Sequence, residues 1–224
     1  MSLSSRALCS LADLKGELSI TSNSEDTRLE RLIEAATSAI ESYCARTEGF
    51  HYEAAREDMV RGYGSPIMHS PKTPIVSIGS IVWDPDDSNE TVTSTLYAID
   101  NARQGRIYRE GGWAWTAADR TYLVSTVLPG TEQRLYQITY ACGYVTQNQA
   151  NLDNTLTRNL PHALEDACIQ MAGMRYRWSP ADPALASEKL GSWAASYNRS
   201  GDGGGLVPAS VAGVLDSYKR LVTA

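Results

Sequence analysis

Leu11, Leu14 and Leu18 repeat at helical spacing behind Ser10, and Asp13 stands three residues after that serine, the pattern of a capping box. "TSNS" interrupts the repeat, and a longer stripe follows. Leu29, Leu32, Ile33, Ala36, Ile40, Tyr43 and Cys44 predict a second helix from a Ser24 cap to about Arg46, with Glu25 and Asp26 in its first turn. After Phe50 the period shortens. "PIVSIGSIVW" (74–83) is β-branched and bounded by prolines, and "DPDDSNE" reads as a turn. "TSTLYAID" and "GRIYRE" read as two strands joined by a tight turn over Asn101–Gly105. "GGWAWTAADR" reads as a loop and "TYLVSTVLP" as a strand, and "QRLYQITYACGY" (133–144) alternates at period two. Helical spacing returns in "NLPHALEDACIQMAGMRYRW", with Pro161 at the start and Leu164, Cys168, Met171, Arg175 and Trp178 on one stripe. "SPADPA" ends it. A polar stretch follows, and a final helix is expected from Pro208 onward.

This order predicts an α+β chain. The flanks, 1–50 and 147–224, form a helical bundle that includes a mobile C-terminal helix over 207–224. Residues 51–146 form an inserted antiparallel β domain of five or six strands. Neither helical flank carries enough apolar surface to fold alone.

Composition narrows the function more than the fold. With 42% hydrophobic residues, 12 Tyr and 5 Trp, the chain can build a core and still offer amphipathic rings to interfaces. The net charge is −6, from 20 basic and 26 acidic residues, and no third of the chain is strongly basic, which argues against a tight grip on phosphate backbones. Cys9, Cys44, Cys142 and Cys168 are scattered without a C-x-x-C pair and read as buried thiols. No stretch is long and apolar enough for a membrane span, so no membrane partner is expected.

Candidate chemistry is sparse. His51, His69 and His162 form no metal-ligand spacing. Asp84, Asp86, Asp87 and Glu90 lack the glycine and terminal glutamate of a calcium loop. Ser200 in "NRSGDG" follows no strand and stands outside the G-x-S-x-G context. The glycines of "SGDGGG" have no P-loop lysine and carry Asp202, so they read as a flexible joint. No catalytic residue, metal or cofactor is expected.

Three stretches resemble the head-to-tail connector (adaptor) proteins of tailed bacteriophages. The first is "LADLKGELSITSNSEDTRLERLIEAATSAIESYCAR", similar to that family's opening helix pair. The second is "ITYACGY" with "NLPHALEDACIQMAGMRY", similar to a last strand ending in Y-x-x-G-Y and the helix after it. The third is "ASEKLGSWAASY", similar to a segment built on Ser187, Glu188, Leu190, Gly191 and Tyr197.

The resemblance implies a non-enzymatic virion protein made in the host bacterial cytoplasm and placed in the neck. It implies a dodecameric ring under the portal that extends the DNA channel and offers a platform to the next neck or tail protein. Genomic DNA would pass through without sequence-specific binding. The subunit could be monomeric in solution. Heterologous ring contacts favour aromatic anchors, which nominates Trp113, Trp115, Trp193 and Tyr197, unless these rings cover the local core. The stripe Val211, Val214, Leu215, Tyr218 and Leu221, attached through the glycine joint, is the expected portal contact. Two other readings stay open. One is another neck protein, a stopper or a tail terminator. The other is a cation- or ligand-binding enzyme built on the β region with Asp84, Asp86, Asp87 and Trp113.

Overall fold

A computed structural model describes residues 3–83, 90–113, 136–178, 187–190, 193–196 and 207–220. It mixes helices with antiparallel sheets, the α+β class that the periodicities predict. Its contacts divide the chain into two compact units, Met1–Thr47 with Val145–Ala224, and Glu48–Tyr144. The expected turn at 84–89 and the expected strand at 121–129 lie outside the described residues.

The helical unit begins with α1 (Leu11–Leu18). Its capping box is complete: Ser10 Oγ accepts from the Asp13 N–H at 3.2 Å, and the Ser10 N–H donates to Asp13 Oδ2 at 3.3 Å. Ser10→Ala removes the acceptor of the Asp13 N–H. It is expected to cost about 1 kcal/mol, read from the urea midpoint of the purified chain.

Helix α2 (Asp26–Tyr43) buries Leu29, Ile33, Ala36, Ala39 and Ile40. Its N-cap is Glu25 and makes no side-chain cap bond; the expected cap, Ser24, instead bonds Ser22 through its hydroxyl at 2.8 Å. The two serine hydroxyls satisfy each other, so the helix starts one residue later than the pattern predicts.

Helix α3 (Gln147–Leu152) was not expected from periodicity. It is short and polar, and its signal is the Thr146–Gln149 capping box, T-x-x-Q. Helix α4 (His162–Trp178) packs against α1 and α2 through Leu164, Ala167, Cys168, Met171 and Ala172, all buried. The carbonyl of Pro161 accepts from Leu164 N–H at 3.0 Å and so opens that helix. Strands β8 (Ser187–Leu190) and β9 (Trp193–Ser196) form an antiparallel hairpin inside the stretch read as merely polar.

The last helix, α5 (Ala209–Leu215), is shorter than the 207–224 expected and gives way to a 3-10 turn over Asp216–Tyr218. The chain then extends, because the Arg220 N–H donates to the Cys44 carbonyl at 2.9 Å just past the end of α2. That bond fills an acceptor that the end of α2 leaves open, and continuing the helix would forfeit it.

Among the described residues the β unit holds two sheets. Four strands run in the order β1 (Glu53–Val60), β7 (Tyr136–Cys142), β3 (Ile75–Trp83), β4 (Glu90–Thr91). Three more run in the order β2 (Ile67–His69), β6 (Arg106–Arg109), β5 (Tyr97–Asn101). All neighbours are antiparallel. Met68 and Ile107 from the smaller sheet meet Ile81, Tyr136, Ile138 and Tyr140 from the larger one in a single core.

Candidate assembly surfaces

The C-terminal segment is held to the end of α2 by apolar anchors and polar ties. Val211 is 2% exposed and Leu215 is fully buried within the helical unit, where α5 packs on α4. Around them Tyr43 Oη donates to Asp216 Oδ1 at 2.8 Å, and Arg46 Nε donates to the Tyr218 carbonyl at 2.9 Å. Lys219 pairs with Asp216 at 2.7 Å and lies 4.1 Å from the Tyr43 ring centre. The Lys219 hydrogen bond, with that of Tyr43, holds the Asp216 carboxyl below its ordinary value. Of the expected portal-facing stripe, Val214 is exposed and Tyr218 is half-buried. Leu221 lies outside the described residues.

The expected subunit anchors separate in the same way. Trp113 is 1% exposed and belongs to the β core. Its Nε1 donates to the Ile107 carbonyl at 3.2 Å, and its ring meets Tyr136 edge-on at 5.3 Å. A ring so covered offers no face to a neighbouring subunit, which corrects the expectation for this residue. The cause is a bond pair the sequence does not display: Trp113 N–H to the Ser65 carbonyl and Gly64 N–H to the Trp113 carbonyl tie the loop inward. Trp193 lies on β9, while Trp115 and Tyr197 lie outside the described residues.

Polar chemistry in the β unit gathers at Lys72, whose side chain is 1% exposed. Its Nζ donates to Glu53 Oε1 at 2.6 Å and stands 3.4 Å from His51 Nδ1. Arg56 bridges Glu53 and Asp58, and Tyr140 Oη donates to Asp58 Oδ2 at 2.6 Å. Burial pulls the Lys72 ammonium below its ordinary value, although Glu53 opposes that. The cluster is closed in on itself and pairs charge with charge, a structural arrangement rather than an open reactive site. Sequence reasoning singled out His51 but missed Lys72, Glu53, Arg56 and Asp58, because burial of a charge leaves no periodic mark.

His69 and His162 are exposed, and His162 stands beside Arg158 and Glu165. Among the described residues no group of three His, Cys, Asp or Glu side chains is placed to hold a metal ion. Asp84, Asp86, Asp87 and Ser200 lie outside the described residues. A cleft of about 490 Å³ runs between Thr95–Ala98 and Tyr108–Gly111, with Leu96 and Tyr108 exposed at it.

Residues 9–81 match the model of a family described as phage gp6-like head-tail connector protein. That span covers α1, α2, β1, β2 and most of β3, so the resemblance carried by the opening helix pair runs on into the β unit. Two solved structures share the fold over the whole chain. One is the neck of an empty gene transfer agent (GTA) particle computed with C6 symmetry, with a TM-score of 0.55 at 14% identity, covering 100% of this chain and 95% of that one. The other is the virion of a native GTA particle, with a TM-score of 0.52 at 15% identity and the same coverage. Curated proteins give no match. Residues 9–81 thus resemble head-tail connectors, and the chain as a whole shares its α+β fold with the two GTA chains.

Proposed function

We propose that the chain is a non-enzymatic head-to-tail connector of a phage-like virion. The observation that carries the reading is the family match over residues 9–81, and the shared fold with a GTA neck supports it. Subunits assemble as a dodecameric ring under the portal, a number compatible with the six-fold symmetry of that neck. The ring extends the channel and receives the next neck or tail protein. DNA passes without base recognition, in keeping with the net charge of −6, since acidic walls repel phosphates. Trp115, Trp193 and Tyr197 are the proposed anchors between subunits. The test is electron microscopy of the purified chain mixed with the portal protein of its own particle. A twelve-fold collar is the expected result, and portal rings with no added density overturn the reading.

Portal contact is proposed to use the outer side of α5. Val214 and Tyr218 can be covered without unpacking the helix, whereas Val211 and Leu215 would join only if the segment swings out; Leu221 is proposed to belong to the same contact. Val214→Glu puts a charge at an exposed position and should leave the melting midpoint within about 2 °C. The same change places a carboxylate in an apolar contact and should weaken portal binding at least about tenfold by titration. Unchanged affinity would remove α5 from the interface.

A further inference from the structure

Cys9 and Cys168 are 159 positions apart in sequence, yet their sulfurs lie 3.5 Å from each other. Both are fully buried free thiols. Cys9 sits in the irregular segment just before the Ser10 cap, while Cys168 is fixed in the middle of α4. Thr37 of α2 completes the pocket, with its Oγ1 3.7 Å from Cys168 Sγ and accepting from the Leu8 N–H at 3.2 Å. The other two cysteines have different surroundings. Cys44 points its thiol at the Leu215 carbonyl at 3.7 Å, and Cys142 lies in the β core.

We propose that Cys9 and Cys168 form a covalent modification site, a dithiol that closes to a disulfide by exchange with a small-molecule disulfide. The sulfurs must approach by roughly 1.5 Å to reach bonding distance, a movement within the reach of one side-chain rotation. Cys9 supplies it, because its backbone belongs to no helix or strand. The thiolate of Cys9 attacks one sulfur of the small disulfide, forming a mixed disulfide and expelling one thiolate. The thiolate of Cys168 then displaces the second. Two electrons pass from the protein sulfurs to the small disulfide, and the two protons end on the two released thiols.

The Cys168 hydrogen bond and then burial hold the Cys9 thiol well above its ordinary value, so the closed structure reacts slowly. Reaction runs through brief opening of the segment before α1, and its rate should rise with pH. The product staples the entry of α1 to α4 and closes most of the chain into one loop. Loops of that length constrain the unfolded state strongly, so the melting midpoint of the helical unit should rise on the order of 10 °C. The chemistry stands independently of the connector reading. Only its timing rests on that reading: reduced while the chain is made, oxidised once particles leave the cell.

The experiment uses the full chain without variants first. Protein reduced with a phosphine and protein incubated with oxidised glutathione at pH 8 are compared by thiol titration, peptide mapping and thermal melting. The expected result is a fall from four thiols to two, a Cys9–Cys168 linked peptide, a higher midpoint, and reversal by the phosphine. A Cys44→Ala, Cys142→Ala double variant should fall from two thiols to none and give the same linked peptide and reversal. Four surviving thiols, a stable glutathione adduct without ring closure, or a link between any other pair overturns the proposal. None of these outcomes bears on whether a collar forms on the portal.

Discussion

Gly143→Ala is expected to unfold the β unit, at a cost of at least about 4 kcal/mol. Gly143 follows β7 with φ of +90°, in the left-handed region that disfavours side chains. A Cβ there would stand 2.1 Å from the His51 carbonyl oxygen and 2.7 Å from its carbon, and both are backbone atoms that cannot rotate away. The crossing is tight because two hydrogen bonds draw it in. Gly143 N–H donates to the Pro74 carbonyl at 2.9 Å, and Tyr144 N–H to the Phe50 carbonyl at 2.7 Å. Relieving the clash means breaking the His51–Tyr144 bridge and with it the closure of the unit's two ends. Gly213→Ala is the control: its Cβ would meet nothing within 4 Å in α5, and the change should be neutral or stabilising by up to about 1 kcal/mol. Circular dichroism and urea melts of the two variants decide it. A Gly143→Ala protein as stable as the parent would show that the crossing is not tight.

That glycine also shows how much of the fold was legible. "YACGY" was recognisable as a motif by resemblance alone, and the structure supplies its physics. Tyr140 closes the Asp58–Lys72 network and Gly143 permits the crossing. Elements with apolar periodicity were readable: α1, α2, α4 and the β5–β6 hairpin. Strand β1 was not, because its "EAAREDMV" turns Arg56 and Asp58 to half-buried positions where an apolar pattern would have placed aliphatics. Helix α3 and the β8–β9 hairpin are held by a cap and by backbone pairing, which hydrophobic spacing does not record. The aromatic anchors were half legible: ring type marks a residue as a candidate, but only the loop bonds around Trp113 reveal that its ring turns inward. The C-terminal stripe was legible as amphipathic, but not as clasped, since its ties reach back to Tyr43, Cys44 and Arg46 across more than half the chain.

The Lys72 cluster yields an asymmetric expectation. Glu53→Gln should destabilise the β unit by about 2–3 kcal/mol at neutral pH, whereas Lys72→Met should cost about 1 kcal/mol or less. Removing the carboxylate leaves an ammonium whose side chain is 1% exposed without its charge partner. Arg56, 22% exposed, adds repulsion once Glu53 is neutral. Removing the ammonium leaves Glu53 still paired with Arg56 at 3.2 Å and 31% open to water, and methionine refills the lysine stem's space. The figure for Glu53→Gln is set below that of a wholly buried pair because of this solvent access. Proton linkage gives a second readout. Burial raises the Glu53 carboxyl, but the hydrogen bond and charge of Lys72, with Arg56 and His51 behind, bring it below its ordinary 4.5. A lowered folded value means that the unfolded chain takes the proton first. The pair's contribution is therefore full above pH 4.5 and is lost as pH falls through the folded value. The stability gap between parent and Glu53→Gln should accordingly narrow below pH 4.5 and stay level from there to neutrality. Urea melts across that range measure it directly. A gap that keeps its size in acid, or a Lys72→Met variant as damaged as Glu53→Gln, would mean that the cluster stabilises the unit by packing and not by charge.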